Sequence, residues 1–463
     1  MGGSSLAPLV FASSFGRRPG FPRLEVLDST EPSSVVAAAQ ATPPGRTIYV
    51  VSSKSGTTLE PNLLFDYFFA LAEKELGPRA GDRFVVITDP GTPLEKEASA
   101  RRVREVFPGD PAIGGRYSAL SPFGIVPAAL SGIDVRSLLR RAQAMADACR
   151  AKAPEENPGV ELGAAMGALA LEGRDKLTFS VGAPVDRFGM WLEQLIAEST
   201  GKEGKGILPV EGETPGGPES YGDDRFFVRI SVDSGTSDAA RKLTVLEEAG
   251  HPVAWFEIAD ALDLGAEMFR WEFATAVAGA LIGINPFDQP NVQEAKDRTN
   301  EILAGKGGPE APGRTDPEAL SSLIDSIRPR DYFAITAYVP STAENEDRLA
   351  RIRLPVRDAK RVATTLGFGP RFLHSTGQFH KGGPDTGVFL QITETPAEPV
   401  AIPGRPYGFE RVVAAQAAGD LAALRSRKRR ALSVRLGADL AAELGLLAAA
   451  AARSAPRQGR EGS

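Results

Sequence analysis

A run of hydroxyl side chains with one lysine and one glycine follows an apolar segment near the start of the chain. Residues 51–60 read Val-Ser-Ser-Lys-Ser-Gly-Thr-Thr-Leu-Glu, directly after apolar residues 48–50. A strand that ends this way and opens a helix can hold a phosphate, because hydroxyls and helical N–H groups donate hydrogen bonds and the lysine adds positive charge. The spacing of these residues differs from that of a nucleotide P-loop. This difference favours a small phosphorylated metabolite as the ligand. A Ser or Thr N-cap on an ordinary strand-to-helix turn is the alternative interpretation.

Three charged residues lie in segments that could support acid–base chemistry. Glu198 follows the apolar helical stripe of 191–196, and burial at the end of that helix would make it a better general base. Arg116 follows two glycines, which let backbone approach a ligand, and its permanent charge could stabilise a developing anion. Lys296 lies on a helix that begins near Pro290. Taken singly, Glu198 could equally be an exposed glutamate and Lys296 a surface lysine.

The chain has three histidines, and two of them lie in one glycine-rich segment. His374 and His380 belong to 373–384, while His251 begins a predicted strand, where we expect a structural role. No carboxylate or thiolate accompanies the first two, so we expect no metal there. A histidine in a glycine-rich loop suits proton transfer near neutral pH. The pattern alone leaves both His374 and His380 open.

The composition is that of a globular protein and argues against several classes. The 463 residues are 42% hydrophobic and 24% charged, and the net charge of −6 gives no electrostatic reason to expect nucleic acid or an anionic membrane. The single cysteine, Cys149, excludes an internal disulfide and a thiolate metal cluster and fits a reducing cytoplasm. We expect neither a membrane span nor a signal peptide, because no apolar run is long enough and the first residues lack a charged region.

Short apolar strands alternate with helical patterns, which predicts an α/β fold with parallel sheets. Ligands then bind at the carboxyl ends of the strands, where the hydroxyl-rich run falls. Segment 201–224 is predicted to be a functional loop, and the basic run 425–430 a solvated helix end. The predicted strands are 47–52, 83–88, 176–181, 226–231, 252–258, 332–338 and 387–392. The predicted helices are 60–76, 93–106, 135–150, 238–249 and 266–284, with further helix over much of 121–172.

Five segments together resemble the signatures of the glucose-6-phosphate isomerase family. Residues 1–8 resemble the end of its first sugar-phosphate loop, and 53–60 resemble its second. The other three are Gly-Arg-Tyr-Ser at 115–118, Glu-Ser-Thr-Gly-Lys at 198–202, and Phe-Asp-Gln through Lys296 at 287–296. The five occur in the family's order, which makes the resemblance specific.

A closer resemblance is to the isomerase half of bacterial proteins that fuse a transaldolase to this isomerase. In those proteins a His-Ser-Thr-Gly-Gln segment comes late in the chain, as 374–378 does here. In the ordinary isomerase the equivalent histidine precedes the Phe-Asp-Gln segment. Met1 falls inside the first phosphate loop, so we expect an N-terminally incomplete first domain.

The resemblance implies two sugar-isomerase domains of the three-layer αβα type with parallel sheets. We place the first, N-terminally truncated domain at 1–150 and the second at 151–304. A C-terminal α/β extension with the histidine loop follows at 305–449, and a disordered tail at 450–463. The implied protein is a cytoplasmic homodimer of glycolysis and gluconeogenesis that binds a sugar phosphate and uses no cofactor.

The resemblance also assigns roles in the interconversion of an aldose phosphate and a ketose phosphate. Glu198 would be the base that moves a proton between C2 and C1, and Arg116 would stabilise the enediolate. His374 would open the sugar ring, with Lys296 near the ring oxygen. The implied phosphate-binding residues are Gly3, Ser4, Ser53, Lys54, Ser55, Thr57 and Thr58.

Three alternatives compete with this interpretation. A non-catalytic sugar-phosphate-binding protein on the same domain would not need a base, an arginine and a ring-opening histidine together. An inactive fragment is the second alternative, and an isomerase that also accepts mannose 6-phosphate is the third. The DNA upstream of Met1, read in frame, tests the fragment alternative, and the most useful single experiment is an assay of fructose 6-phosphate conversion to glucose 6-phosphate.

Overall fold

Three parallel β-sheets with helices packed on them form the framework of the protein, which confirms the predicted α/β fold. The computed structural model describes residues 2–232, 237–306, 312–395 and 398–454. Within this part of the chain, no helix is both long and apolar enough to cross a membrane.

The first sheet has the order β1-β2-β3. Its core is aromatic: Phe84 of the central strand stacks on Tyr49 of the first strand and packs against the phenylalanines of α3. The strands are β1 (Tyr49–Ser52), β2 (Phe84–Thr88) and β3 (Glu105–Pro108). The helices are α1 (Gly3–Phe15), α2 (Pro32–Ala41), α3 (Leu59–Leu76) and α4 (Pro93–Ala100), of which α1 packs against the second sheet's core instead.

The second sheet has the order β5-β4-β6-β7 and carries the largest apolar core. Its strands are β4 (Lys176–Val181), β5 (Leu208–Val210), β6 (Arg225–Ser231) and β7 (Val253–Glu257). Its helices are α5 (Pro122–Leu130), α6 (Val135–Ala148), α7 (Pro158–Leu171), α8 (Phe188–Thr200), α9 (Asp238–Glu248) and α10 (Leu264–Ile282). Glycines at 159, 163 and 167 let α7 lie close to α10, because a Cβ at each would lie within 2.8 Å of an α10 atom.

The third sheet has the order β10-β9-β11-β12-β8. Its strands are β8 (Gly313–Arg314), β9 (Tyr332–Tyr338), β10 (Ala363–Phe368), β11 (Gly387–Glu394) and β12 (Arg430–Leu436). The remaining helices are α11 (Val292–Leu303), α12 (Pro317–Asp325), α13 (Ala343–Lys360), α14 (Gly377–Gly382), α15 (Phe409–Ser426) and α16 (Leu440–Arg453).

The third sheet is not a detached module, because its side chains complete the cores of the other two. Phe379 and Phe389 pack with Leu208 and Val210 of β5 in one apolar cluster. On the other side, Phe409 belongs to the aromatic core of the first sheet. These shared cores place the C-terminal histidine segment between the first and second sheets.

Several predicted elements differ from the structure. The helix predicted at 93–106 ends at Ala100, and residues 105–108 form the strand β3 instead. The segment 201–224 contains the short strand β5, and β10 and β12 were not predicted. The run 425–430 is not wholly solvated, since Arg429 is buried and bonds to Asp385 and to the carbonyl of Gly383. The last helix continues to Arg453, past the predicted start of the tail, and residues 455–463 of that tail lie outside the described chain.

Candidate active site

Glu198 lies in the last turn of α8, with its side chain directed into the protein. The helix buries Trp191, Leu195 and Ile196 against the second sheet, so its C-terminal turn is held in the interior. Glu198 is 8% exposed, which excludes the interpretation as a surface glutamate. One carboxylate oxygen accepts a hydrogen bond from Gln194 Nε2 at 3.1 Å, and the other lies 3.8 Å from Arg116 Nη1.

The guanidinium group of Arg116 is buried and fixed in one orientation. The residue is 2% exposed and lies in a short turn after two glycines. Its Nε donates to Ser199 Oγ at 2.7 Å, and its Nη1 donates to Gln289 Oε1 at 2.6 Å. Its Nη2 donates to the carbonyls of Pro286 at 2.6 Å and Asp288 at 3.0 Å. Because these acceptors hold the group on several sides, its charge stays beside Glu198.

His374 is linked to Glu198 through the side-chain amide of Gln194. Its carbonyl accepts a hydrogen bond from Gln194 Nε2 at 2.7 Å, so this one amide bridges the acid and the histidine segment. The imidazole Nε2 lies 3.0 Å from Glu60 Oε1. Burial opposes the charge on Glu60, but the ion pair and hydrogen bond with His374 outweigh it and lower the pKa of Glu60 to about 2. Glu60 therefore faces the imidazole as an anion.

His380, the other histidine of this segment, has a different environment. It is 3% exposed, stacks on Tyr332 and bonds to the hydroxyl of that tyrosine at 3.0 Å. Burial, together with the charges of Lys381 and Arg429, lowers the pKa of His380 well below its usual value. A neutral, buried imidazole packed on Tyr332 suits a structural role, whereas His374 is linked to Glu198 through Gln194.

The N-terminal glycines pack tightly against this same site. A Cβ on Gly3 would lie 1.9 Å from the carbonyl oxygen of Gly115, and one on Gly2 would lie 2.6 Å from Gln194 Nε2. Only glycine allows this approach, so the N-terminus of α1 lies beside Arg116 and His374. Ser4 is buried in the first turn of α1.

The hydroxyl-rich loop lies where predicted, after β1 and before α3. Ser55 and Thr57 are exposed, and their hydroxyls lie 3.0 Å apart. Thr58 is half-buried and precedes the first turn of α3, whose Glu60 bonds to His374. The loop is thus joined to the acid–base groups through a single helical turn.

Two residues of this loop are less available than predicted. Lys54 forms an ion pair with Asp89 and donates to the carbonyl of Asp110 at 2.9 Å, so its charge is already compensated. Ser53 is 2% exposed, and its hydroxyl has no hydrogen-bond partner among the described residues.

Lys296 is half-buried on α11, and this helix contacts the short turn that carries His374. The loop before α11 is fixed by Lys202, which is 1% exposed. Its Nζ donates to the carbonyl of Asn285 at 2.7 Å, to Asp288 Oδ1 at 2.7 Å and to the carbonyl of Asp288. The same loop supplies three of the acceptors of Arg116.

The functional environment includes residues to which sequence reasoning assigned no role: Glu60, Gln194, Lys202, Gln289 and Gln416. Gln194 could have been found, because it precedes Glu198 by four residues and therefore shares its helix face. Glu60 and Gln416 carry no such local signal, since the bonds that place them at the site join segments more than three hundred residues apart.

Parallel β-sheets with helices packed on them thus surround a buried acid, a fixed arginine and a histidine that bonds to Glu60. A family model described as phosphoglucose isomerase matches residues 1–222. A glucose-6-phosphate isomerase from Rubrobacter xylanophilus is 33% identical over 359 residues, covering 66% of this chain and 82% of that relative. One from Synechococcus sp. (strain JA-3-3Ab) is 31% identical over 350 residues, covering 65% and 64%.

Solved structures agree with this comparison. A crystal structure of a hypothetical protein from Thermus thermophilus has a TM-score of 0.60 at 25% identity, covering 66% of this chain and 82% of that one. A glucose-6-phosphate isomerase from Chlamydia trachomatis has a TM-score of 0.54 at 22% identity, covering 65% and 68%, which supports the fold alone. The chain belongs to the glucose-6-phosphate isomerase family and is an isomerase of that type.

Proposed function

We propose that the protein interconverts glucose 6-phosphate and fructose 6-phosphate by proton transfer through an enediolate. The observation that carries the proposal is the placement of the Glu198 carboxylate 3.8 Å from a guanidinium that is fixed by the surrounding backbone. Glu198 takes the proton from C2 of the open-chain aldose and returns it to C1. Arg116 stabilises the negative charge that develops on the two oxygens, because its position needs no rearrangement during the reaction.

His374 serves the step before proton transfer, the opening of the sugar ring. Ring opening needs a proton donated to the ring oxygen, and an imidazole is suited to this near neutral pH. The anionic Glu60 bonds to the imidazole Nε2 at 3.0 Å and orients the ring. Lys296 lies on the helix next to this turn and assists at the ring oxygen.

The phosphate group is held by the loop at 53–58 and by the first turn of α1. Gly3 and Ser4 offer backbone N–H groups at one helix N-terminus, and Thr58 precedes a second. The accessible hydroxyls of Ser55, Thr57 and Thr58 bind the phosphate directly. Ser53, which is buried, and Lys54, which pairs with Asp89, support the loop from its inner side. Binding energy from the phosphate positions C1 and C2 against Glu198.

The wider assignments are also proposals. The late position of His374 supports a correspondence to the isomerase half of a transaldolase–isomerase fusion, which in-frame reading of the genomic DNA upstream of Met1 tests. The domain boundaries at 150 and 304, the homodimer, the cytoplasmic location and the place in glycolysis and gluconeogenesis rest on the family. Light scattering of the purified chain tests the dimer.

The test of the activity is a coupled assay of glucose 6-phosphate formation from fructose 6-phosphate. We expect the wild-type chain to be active and Glu198→Gln to lose ~10²–10⁴-fold in turnover, the usual contribution of a general base. Glu161→Gln, an exposed glutamate of α7, is the matched control. Activity of Glu198→Gln close to that of the control would exclude Glu198 as the base.

A further inference from the structure

A buried chain of hydrogen bonds lies behind the ion pair of His374 and Glu60. Gln416, on α15 of the C-terminal unit, donates from Nε2 to Glu60 Oε1 at 2.7 Å. The other end of its amide, Oε1, accepts a hydrogen bond from Thr30 Oγ1 at 2.9 Å. His374 Nε2 meets the same oxygen of Glu60 at 3.0 Å.

Each end of the Gln416 side chain has one suitable partner in this chain of bonds. The ionised Glu60 can only accept, so the amide nitrogen must face it, and Thr30 holds the amide oxygen on the other side. Thr30, Gln416 and Glu60 are 0%, 2% and 4% exposed, so bulk water does not compete for these groups. The amide is therefore fixed in a single orientation.

We propose that Gln416 is a positioning residue that fixes the Glu60 carboxylate, and through it the imidazole of His374, for ring opening. The proposal rests on the ring-opening role of His374 proposed above. Gln416 does not touch the sugar. Its N–H stabilises the ionised form of Glu60 and keeps Oε1 directed at His374 Nε2, because hydrogen bonds to a charged acceptor are the strong ones.

This placement gives the C-terminal unit a second contribution to the site, in addition to His374 itself. The family model ends at residue 222, so Gln416 lies outside the matched segment. The hydroxyl of Tyr338 donates to the backbone carbonyl of Gln416 at 3.4 Å, which ties this turn of α15 to β9.

The first test compares Gln416→Leu with Gln391→Leu. Gln391 is a buried glutamine of the same unit whose amide donates to the carbonyl of Ala417 and accepts from Ser433 rather than facing Glu60. Ring opening is followed by NMR as catalysed exchange between the anomers of glucose 6-phosphate. We expect Gln416→Leu to slow this exchange about tenfold or more, with KM little changed, while Gln391→Leu stays close to wild type. Equal exchange rates in the two variants overturn the proposal.

A second variant, Gln416→Glu, separates positioning from packing. The introduced carboxyl group can donate to Glu60 only when it is protonated, and when ionised it repels Glu60. Anomer exchange should therefore recover as the pH falls, relative to wild type measured at the same pH. A constant ratio to wild type across the pH range overturns the proposal.

The NMR signals of the histidine side chains do not depend on isomerase activity. They therefore separate a failure of the proposed isomerase function from a failure of the positioning role of Gln416. The chain has three histidines, so ¹⁵N-histidine spectra can be assigned with His374→Ala. We expect the ring nitrogen signals of His374 to change in Gln416→Leu and not in Gln391→Leu. An inactive wild type with this spectral change would refute the isomerase assignment but keep the positioning role, and unchanged spectra would refute the positioning role.

Discussion

At the scale of single residues, the geometry of the site depends on close approaches that only particular side chains allow. Arg116 is held by a serine, a glutamine and two backbone carbonyls, so it cannot move away when a ligand leaves. Gly3 meets Gly115 at a distance that no other residue permits. Fixed charge beside a buried carboxylate is the arrangement that proton transfer through an anionic intermediate needs.

We predict that Gly3→Ala lowers turnover about 10²-fold with a smaller effect on folding. The added Cβ would overlap the carbonyl of Gly115 and force the N-terminus of α1 away from Arg116, and a displacement of about 1 Å at a catalytic site can cost this much. Steady-state kinetics and thermal unfolding measure the two effects. Gly445→Ala is the control, because a Cβ there meets nothing within 4 Å, and equal kinetics in both variants would contradict the prediction.

The low pKa of Glu60 predicts a pH-dependent contribution to stability. Because the folded pKa of about 2 lies below the ordinary value of 4.5, the stabilisation is complete above about pH 4.5 and is lost as the pH falls toward 2. Urea unfolding should show that Glu60→Gln is destabilised more at pH 7 than at pH 3. A difference from wild type that is equal at the two pH values would be evidence against this ionisation.

The site residues differ in how well sequence could predict them. Glu198, Arg116 and His374 carry recognisable neighbours along the chain, and the structure brings these three together. Lys54 was expected to be free for phosphate, but Asp89, distant in sequence, compensates its charge. Glu60 and Gln416 act through contacts between distant segments, which local spacing does not encode.

At the scale of elements, the loop between α10 and α11 connects the arginine to a buried lysine. Lys202 follows the last turn of α8 and bonds to Asn285 and Asp288, while Arg116 bonds to the same loop from the other side. The carbonyl of Asp288 accepts from both cations. Both charged side chains therefore fix the conformation of this loop through hydrogen bonds.

We predict that Lys202→Met lowers turnover about tenfold or more, because the loop would no longer hold Arg116 in its orientation. Lys205→Met is the matched control: Lys205 lies in the same turn but donates to the carbonyl of Ile282 at 3.1 Å, outside the loop. Turnover is measured in the isomerase assay. Equal loss of activity in the two variants would show that Lys202 does not orient Arg116 through this loop.

Element prediction succeeded where the apolar pattern was long and failed where strands were short or polar. The strands at 176–181 and 332–338 were predicted with their observed bounds, because both are apolar runs between turns. The strand β3 follows helix α4 closely and has exposed ends, so its charged residues extended the helical pattern. The strand β12 begins at Arg430, the last residue of the basic run, and this charged start hid the apolar pattern of the buried residues that follow.

At the scale of the whole molecule, buried charge joins the second sheet to the third. Arg225 and Glu213 have fully buried side chains that pair at 3.0 Å. Glu213 also accepts hydrogen bonds from the backbone N–H and hydroxyl of Thr364 on β10. Burial opposes the charge on Glu213, but Arg225 and two neighbouring arginines lower its pKa.

We predict that Glu213→Gln destabilises the protein by about 3–5 kcal/mol, because Arg225 would remain as a buried charge without its partner. The double variant Glu213→Gln, Arg225→Met removes that charge and should recover part of the loss. Urea unfolding gives both values. A single variant with wild-type stability would show that this pair does not hold the two sheets together.

The central claim is that Glu198 moves a proton between C2 and C1 in a site completed by Arg116 and His374. The most direct measurement is NMR of sugar phosphate converted in D₂O by the wild type and by Glu198→Gln. An enediolate mechanism predicts that the wild type incorporates deuterium from solvent at C2 of the glucose 6-phosphate formed, and that Glu198→Gln loses this incorporation together with turnover. Conversion by the wild type without any deuterium incorporation, or undiminished incorporation by Glu198→Gln, would contradict the account.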